Sequence, residues 1–180
     1  KRLNAVLDCK PVVKEGTIGL DTEILDENGE PIILETGTVE FKDVTFSYPD
    51  SSGEVVLSNI NLKINKGEKI GILGSTGCGK STLVKLIARF YDTTSGSVYI
   101  DGIDVKDYKF SALRNKVAVV LQKSELFSGT IKDNICWGKE DATMEEVEYA
   151  AKIAQAVTFI NGFVDKYDTY VAEKGASLSG

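Results

Sequence analysis

Residues 74–82 read Gly-Ser-Thr-Gly-Cys-Gly-Lys-Ser-Thr, after the apolar run Ile70-Gly71-Ile72-Leu73 and before a run of helical character from Leu83 to Phe90. A strand leading into a glycine-rich turn, with a helix behind it, aims backbone N–H groups at an anion. The dipole of that helix favours negative charge at the same point. The spacing G-x-x-x-x-G-K-[ST] therefore specifies a nucleoside triphosphate. Its phosphates would be held by the loop Gly74, Ser75, Thr76, Gly77, Cys78, Gly79 and Thr82, by the Lys80 ammonium and, through Mg²⁺, by the Ser81 hydroxyl. A dinucleotide fingerprint fails, because Gly77-Cys78-Gly79 would need a third glycine where Thr82 stands.

With 180 residues and 42% hydrophobic content, the chain is long enough for one well-buried domain and a small appended lobe. A net charge of −6 and scattered basic residues argue against nucleic acid as the main partner. Cys9, Cys78 and Cys136 are an odd number without metal-ligand spacing, which fits a reducing, cytosolic setting. Cys78 reads as a small residue tolerated between two glycines, with a reactive thiol as the alternative. The absence of histidine removes imidazole from any catalytic scheme for these residues. No apolar stretch reaches the ~18 residues of a membrane span.

Along the chain, Glu15 to Phe41 carries eight acidic residues and no Lys or Arg, as a solvated connector would. Before it, Leu3 and Leu7 share a face at i, i+4, as at the end of a helix. Val39 and Phe41 alternate, and Val44, Phe46 and Tyr48 alternate on the opposite parity, so a bulge is expected near Lys42-Asp43. Ile60, Leu62 and Ile64 predict a second strand that turns at Asn65-Lys66-Gly67 into a strand over Ile70 to Gly74. Val98 to Ile100 forms a short strand closed by Asp101-Gly102. The first strands read as an antiparallel sheet, whereas the continuous run Val117 to Leu121 reads as a parallel strand buried on both faces, with Gln122 at its carboxyl end. The last third turns helical. Thr143 and Glu146 form a capping box ahead of Met144, Val147, Ala151 and Ala154, and a second amphipathic piece covers Val157 to Phe163.

The cradle, then Ser95 to Gly102, then Val120-Leu121-Gln122 and finally Leu178-Ser179-Gly180 together resemble the ATP-binding domain of ABC transporters over residues 38–180. Leu126 to Ile135 and the opening Arg2 to Asp8 are similar to the exporter branch, in which that domain follows a transmembrane domain. The fold this implies is α/β: a P-loop NTPase core with an antiparallel β subdomain and a small helical lobe at about 125–180, preceded by a linker over 1–37. The resemblance assigns Tyr48 to stacking on adenine and Gln122 to Mg²⁺ and the attacking water. It assigns Ser179 and Gly180 to the ATP of a second, partner domain across a dimer interface.

The same resemblance implies a chain that stops before the acidic (Walker B) strand and before the family's water-polarising Glu and its His. Lys80 and Gln122 are then the catalytic candidates present, and Ser81 and Gln122 the metal ligands. ATP and Mg²⁺ binding is expected with little turnover from these residues alone. Exposed apolar edges are expected to leave them poorly stable or prone to associate. In the complete protein, ATP hydrolysis would drive export at the cytoplasmic face of the membrane, with a hydrolysis-deficient half of a heterodimeric exporter as the alternative. A soluble ABC protein is disfavoured by the exporter-like segments. A kinase or GTPase does not explain Gln122 and Leu178-Ser179-Gly180 together.

Overall fold

The computed structural model of the chain describes residues 12–34, 36–49, 53–120 and 126–172. It divides into two compact units, Lys1–Val119 and Val120–Gly180.

The first unit is built on a four-stranded antiparallel sheet of order β2-β1-β3-β4, formed by β1 (Val39–Ser47), β2 (Val55–Ile64), β3 (Ser95–Ile100) and β4 (Ile103–Asp104). β1 is central, and its period-2 pattern accounts for the core. Phe41, Val44 and Phe46 are buried, which two parities allow only because the ladder slips between Phe41 and Val44, where Asp43 takes φ 50°. The bulge near Lys42-Asp43 is as expected. On β2, Ile60, Leu62 and Ile64 are half-buried while Asn61 and Lys63 are exposed, and the strand starts five residues earlier than its alternation suggests. Asp101-Gly102, both at positive φ, turn β3 into β4.

Two helices cover the sheet. α1 (Lys80–Ile87) presses Leu83 and Leu86 into the core, and α2 (Phe110–Lys116) adds Ala112 and Leu113. α1 ends at Ile87 rather than Phe90, because Arg89 swings to φ 50° and closes the helix. α2 went unpredicted, although Phe110, Leu113 and Val117 have helical spacing.

Two expected strands do not form. Residues 70–74 and 117–120 carry no ladder, and Leu73 and Val120 are 95% and 93% exposed. An apolar run becomes a buried strand only with a strand beside it, and among the described residues none pairs with either. Leu121 and Gln122 lie outside the described residues.

Asp21, Glu23, Asp26, Glu27 and Glu30 of the connector are exposed, as its charge suggests, but its first residues are docked rather than free. The N–H groups of Gly16, Thr17 and Ile18 donate to the carbonyls of Tyr108 and Asp107, and Lys109 N–H donates back to Ile18. Further on, Asp101, itself buried, accepts from Gly37 N–H at 2.6 Å and Thr38 N–H at 3.2 Å and pairs with Lys116 at 2.7 Å. Burial pushes this carboxyl up, but the Lys116 ammonium and the two N–H groups outweigh it and hold it below the usual carboxylate range.

The second unit holds a short ladder, β5 (Gly129–Thr130) with β6 (Tyr170–Val171), and helices α3 (Ile131–Cys136), α4 (Met144–Ile153) and α5 (Val157–Ile160). Ile131, Val147, Ala151, Ile160, Tyr167 and Val171 form its core. The box predicted at Thr143 and Glu146 is made in both directions, and a second one joins Thr130 and Asp133 at the start of α3.

Candidate functional site

The start of α1 is an open helix N-terminus. No side chain caps it, and its first turn contains no acidic residue. The N–H groups of Lys80, Ser81 and Thr82 have no intrahelical carbonyl to meet, so they point a set of donors, with the positive end of the helix dipole behind them, out of the fold. Glycine is what permits this. Gly79 sits at φ 92° and ψ 2° as the residue before the helix, is buried, and has Val56 O 3.2 Å and Leu57 Cδ2 2.7 Å from where a Cβ would stand. A side chain there would both strain the backbone and push the helix start off β2.

Lys80 folds back over the loop. Its ammonium donates to Gly74 O at 2.8 Å and Ser75 O at 2.6 Å, with Cys78 Sγ at 3.6 Å. The loop therefore keeps a cation above its own carbonyls, beside the free helix donors, with Ser81 exposed next to it. This donor set fits a triphosphate: a row of neutral N–H groups, one mobile cation and one hydroxyl able to join a hard metal ion's oxygen shell. No carboxylate lies in the 74–82 segment.

Tyr48, directly after β1, is tied to the same helix. Its hydroxyl lies 2.9 Å from Thr82 Oγ1, on a threonine that is 5% exposed. Its ring meets Phe46 edge-on at 4.9 Å and Tyr91 edge-on at 5.1 Å. Beside this cluster opens a cleft of about 780 Å³, lined among others by Tyr48, Phe46, Tyr91, Phe90, Arg89 and Arg114. That volume suits a small organic ligand. The cleft and the phosphate loop share no lining residue, and the Tyr48–Thr82 bond joins the two. The fold thus brings Tyr48, residues 74–82 and the start of α1 together, while Gln122, Ser179 and Gly180 lie outside the described residues. Sequence reasoning missed Tyr91 and Arg89. The former carried no periodic signal, and the latter stood where a helix was expected to continue.

The sequence profile of ABC transporters matches residues 57–180. The chain belongs to the ABC transporter family. Over 144 residues it is 51% identical to a protein of Bacillus subtilis (strain 168) provisionally named multidrug export ATP-binding/permease protein YgaD, in an alignment covering 80% of this chain and 25% of that protein. Over all 180 residues it is 42% identical to the ATP-dependent lipid A-core flippase of Desulfotalea psychrophila (strain LSv54 / DSM 12343), 29% of which it spans. A solved bacterial Atm1-family ABC exporter with ATP bound superposes with a TM-score of 0.80 at 31% identity, covering 99% of this chain and 29% of the exporter chain. The chain thus spans 25% and 29% of the lengths of these two sequence relatives. What this ABC family member shares with them is the ATP-binding domain of exporters. Its fold is the mixed α/β P-loop fold with an antiparallel sheet. Among the described residues no helix is long and apolar enough to cross a membrane.

Proposed function

We propose that this chain grips ATP for an ABC exporter, and that in the whole protein ATP hydrolysis drives a linked membrane domain through a transport cycle. The observation that carries this reading is the uncapped start of α1, with Gly79 at φ 92° and the Lys80 ammonium beside it. The exporter relatives and the neighbour solved with ATP support the larger setting.

In this reading the phosphates take the free N–H groups of Lys80, Ser81 and Thr82, and the Lys80 ammonium exchanges the carbonyls of Gly74 and Ser75 for phosphate oxygens. That exchange trades neutral acceptors for charged ones, so it strengthens each bond. Tyr48 supplies a flat face for the adenine, held in orientation by Thr82. Ser81 and Gln122 would hold magnesium, which, when bound, offsets negative charge developing on the transferring phosphoryl group. Ser179 and Gly180 would meet the ATP of a second such domain, and residues 1–37 would lead from the membrane domain on its cytoplasmic side.

The test is Mg-ATP titration and ATP turnover on the intact protein and its Lys80→Ala variant. Loss of turnover with binding weakened about a hundredfold or more, as expected when a charged bond worth roughly 3 kcal/mol is removed, supports the reading. Tight binding without turnover in the unmodified protein points to the hydrolysis-deficient half of a heterodimer. Turnover unchanged in Lys80→Ala defeats the assignment.

A further inference from the structure

The carboxyl end of the cradle helix is held by a residue poorly suited to its backbone position. Phe90 N–H donates to Lys85 O at 3.0 Å and Arg89 N–H to Leu86 O at 3.1 Å, the two bonds of a Schellman cap. Such a cap puts its first non-helical residue in the left-handed region, where glycine is free of strain and other residues are not. Here that residue is Arg89, at φ 50°. Its side chain is also almost wholly buried, 3% exposed.

The side chain accounts for an arginine there. Nε donates to Asp92 at 2.9 Å, one terminal nitrogen donates to Val105 O at 3.2 Å and Lys106 O at 3.1 Å, and the other donates to Lys14 O at 2.6 Å. The guanidinium also lies over the Phe110 ring, 5.4 Å from its centre. Arg89 therefore ties the end of α1 to the segment leading into α2 and to the connector. The connector adds its own bonds to that segment: Glu15 Oε1 accepts from Phe110 N–H at 3.0 Å, and the N–H groups of Gly16, Thr17 and Ile18 bond Tyr108 O and Asp107 O at 2.8 to 3.1 Å. Gly16 permits this approach, since a Cβ on it would lie 2.3 Å from the carbonyl of Asp107.

We propose that Arg89 is a positioning residue that couples the docked connector, Lys14 to Ile18, to the helix carrying the phosphate loop, so that nucleotide in the loop and docking of the connector reinforce each other. This deepens the reading of the chain as an exporter's ATP-gripping domain and rests on it. Nucleotide that steadies α1 steadies the end at which Arg89 reaches Lys14. By reciprocity, a docked connector raises nucleotide affinity by the same factor. The connector is then one route by which the membrane part and the ATP site sense one another. A purely structural cap would not need the side chain, because glycine satisfies the same backbone geometry.

The test is hydrogen exchange at the amides of Gly16, Thr17 and Ile18 in the intact protein, with and without magnesium and a slowly hydrolysed ATP analogue, alongside titration of that analogue. Exchange should slow about fivefold or more on binding, the lower end of ordinary coupling. In Arg89→Gly that dependence should vanish at analogue concentrations that saturate the variant, and its affinity should fall by about the same factor. Should Arg89→Gly fail to fold, Gly16→Ala answers the same question from the other side: it undocks the connector, leaves Arg89 in place and should weaken analogue binding by about the same fivefold. Binding with exchange indifferent to nucleotide, dependence that survives in Arg89→Gly, or undiminished affinity in a Gly16→Ala protein whose connector exchanges freely overturns the coupling alone. No binding of the analogue to the unmodified protein overturns the ATP reading as well.

Discussion

Gly79→Ala tests whether the start of α1 depends on a residue without a side chain. At φ 92° an alanine costs about 1–2 kcal/mol in backbone strain. The added carbon also stands 3.2 Å from Val56 O, a backbone atom that cannot turn aside, and 2.7 Å from Leu57 Cδ2, which is packed in the core with its residue 6% exposed. Overpacking of that kind costs about 1–3 kcal/mol, giving roughly 3 kcal/mol in all, or about 6–12 °C in Tm for a domain of this size. Gly67→Ala is the control, because Gly67 has φ 80° with nothing within 4 Å of its Cβ position. It should lose only the strain, about 1–2 kcal/mol and roughly 2–8 °C. Differential scanning calorimetry on both variants separates contact from strain, and titration with the ATP analogue should show weakened binding only in Gly79→Ala. A Gly79→Ala melting point no lower than that of Gly67→Ala would mean that the helix start is not seated on β2 as described.

Tyr48→Ala removes the aromatic face and should weaken ATP-analogue binding by the roughly 1–3 kcal/mol typical of a base stacked on a ring, whereas Tyr48→Phe should bind nearly as well. The phenylalanine variant should instead lose about 1 kcal/mol of stability, read as a lower urea midpoint, because the buried Thr82 hydroxyl gives up its 2.9 Å partner; equal binding by all three forms would remove Tyr48 from the site. Asp101, held below its ordinary pKa of 3.8, stabilises the fold fully above about pH 4, and that contribution is lost as pH falls through the lowered folded value. Asp101→Asn should therefore cost about 2 kcal/mol near pH 7 and progressively less toward about pH 3. An equal loss at both pH values in urea titrations would show that the Lys116 ammonium and the N–H groups of Gly37 and Thr38 do not favour the charged form.

Elements whose cause is local could be read before the fold was known. The Lys42-Asp43 bulge follows from a change of parity within one strand, the Thr143–Glu146 box from two side chains three residues apart, and the Gly79 turn from a spacing with one geometric solution. Elements whose cause is distant could not. Ile70 to Leu73 and Val117 to Val120 have the composition of central strands, but a strand is realised by its neighbour, and the sequence of a run does not contain the neighbour. The connector failed in the opposite way. Its acidic side chains suggest solvation, and most of them are exposed, yet its docking is done by backbone groups of residues 16–18 and by a glycine that lets two backbone segments touch, neither of which a charge pattern reports. Glu15 was counted as one more solvated acid, although it meets the open N–H of Phe110 at a helix start.

The candidate site depends on how the ends of α1 are held. A helix of eight residues is about 12 Å long and marginal by itself, so its direction is set by what is attached to it. Leu83 and Leu86 fix the face that meets the sheet, but apolar contacts resist sliding along the axis less than directional bonds do. Those bonds come at the two ends. Near the start, Thr82 is joined to Tyr48 at the close of β1, and beyond the finish Arg89 is joined to Asp92, Val105, Lys106 and Lys14. The base platform and the connector thus act on opposite ends of one short rod whose first turn carries the phosphate donors. Displacing either end by a fraction of an ångström moves those donors, and Lys80 with them, relative to the loop residues Gly74 and Ser75 whose carbonyls the Lys80 ammonium meets. For that reason Tyr48→Ala and Arg89→Gly are expected to register in the same quantity, the affinity for a triphosphate, despite lying at opposite ends of the helix, whereas Tyr48→Phe keeps the ring packed on Phe46 and Tyr91 and so leaves the helix start in place.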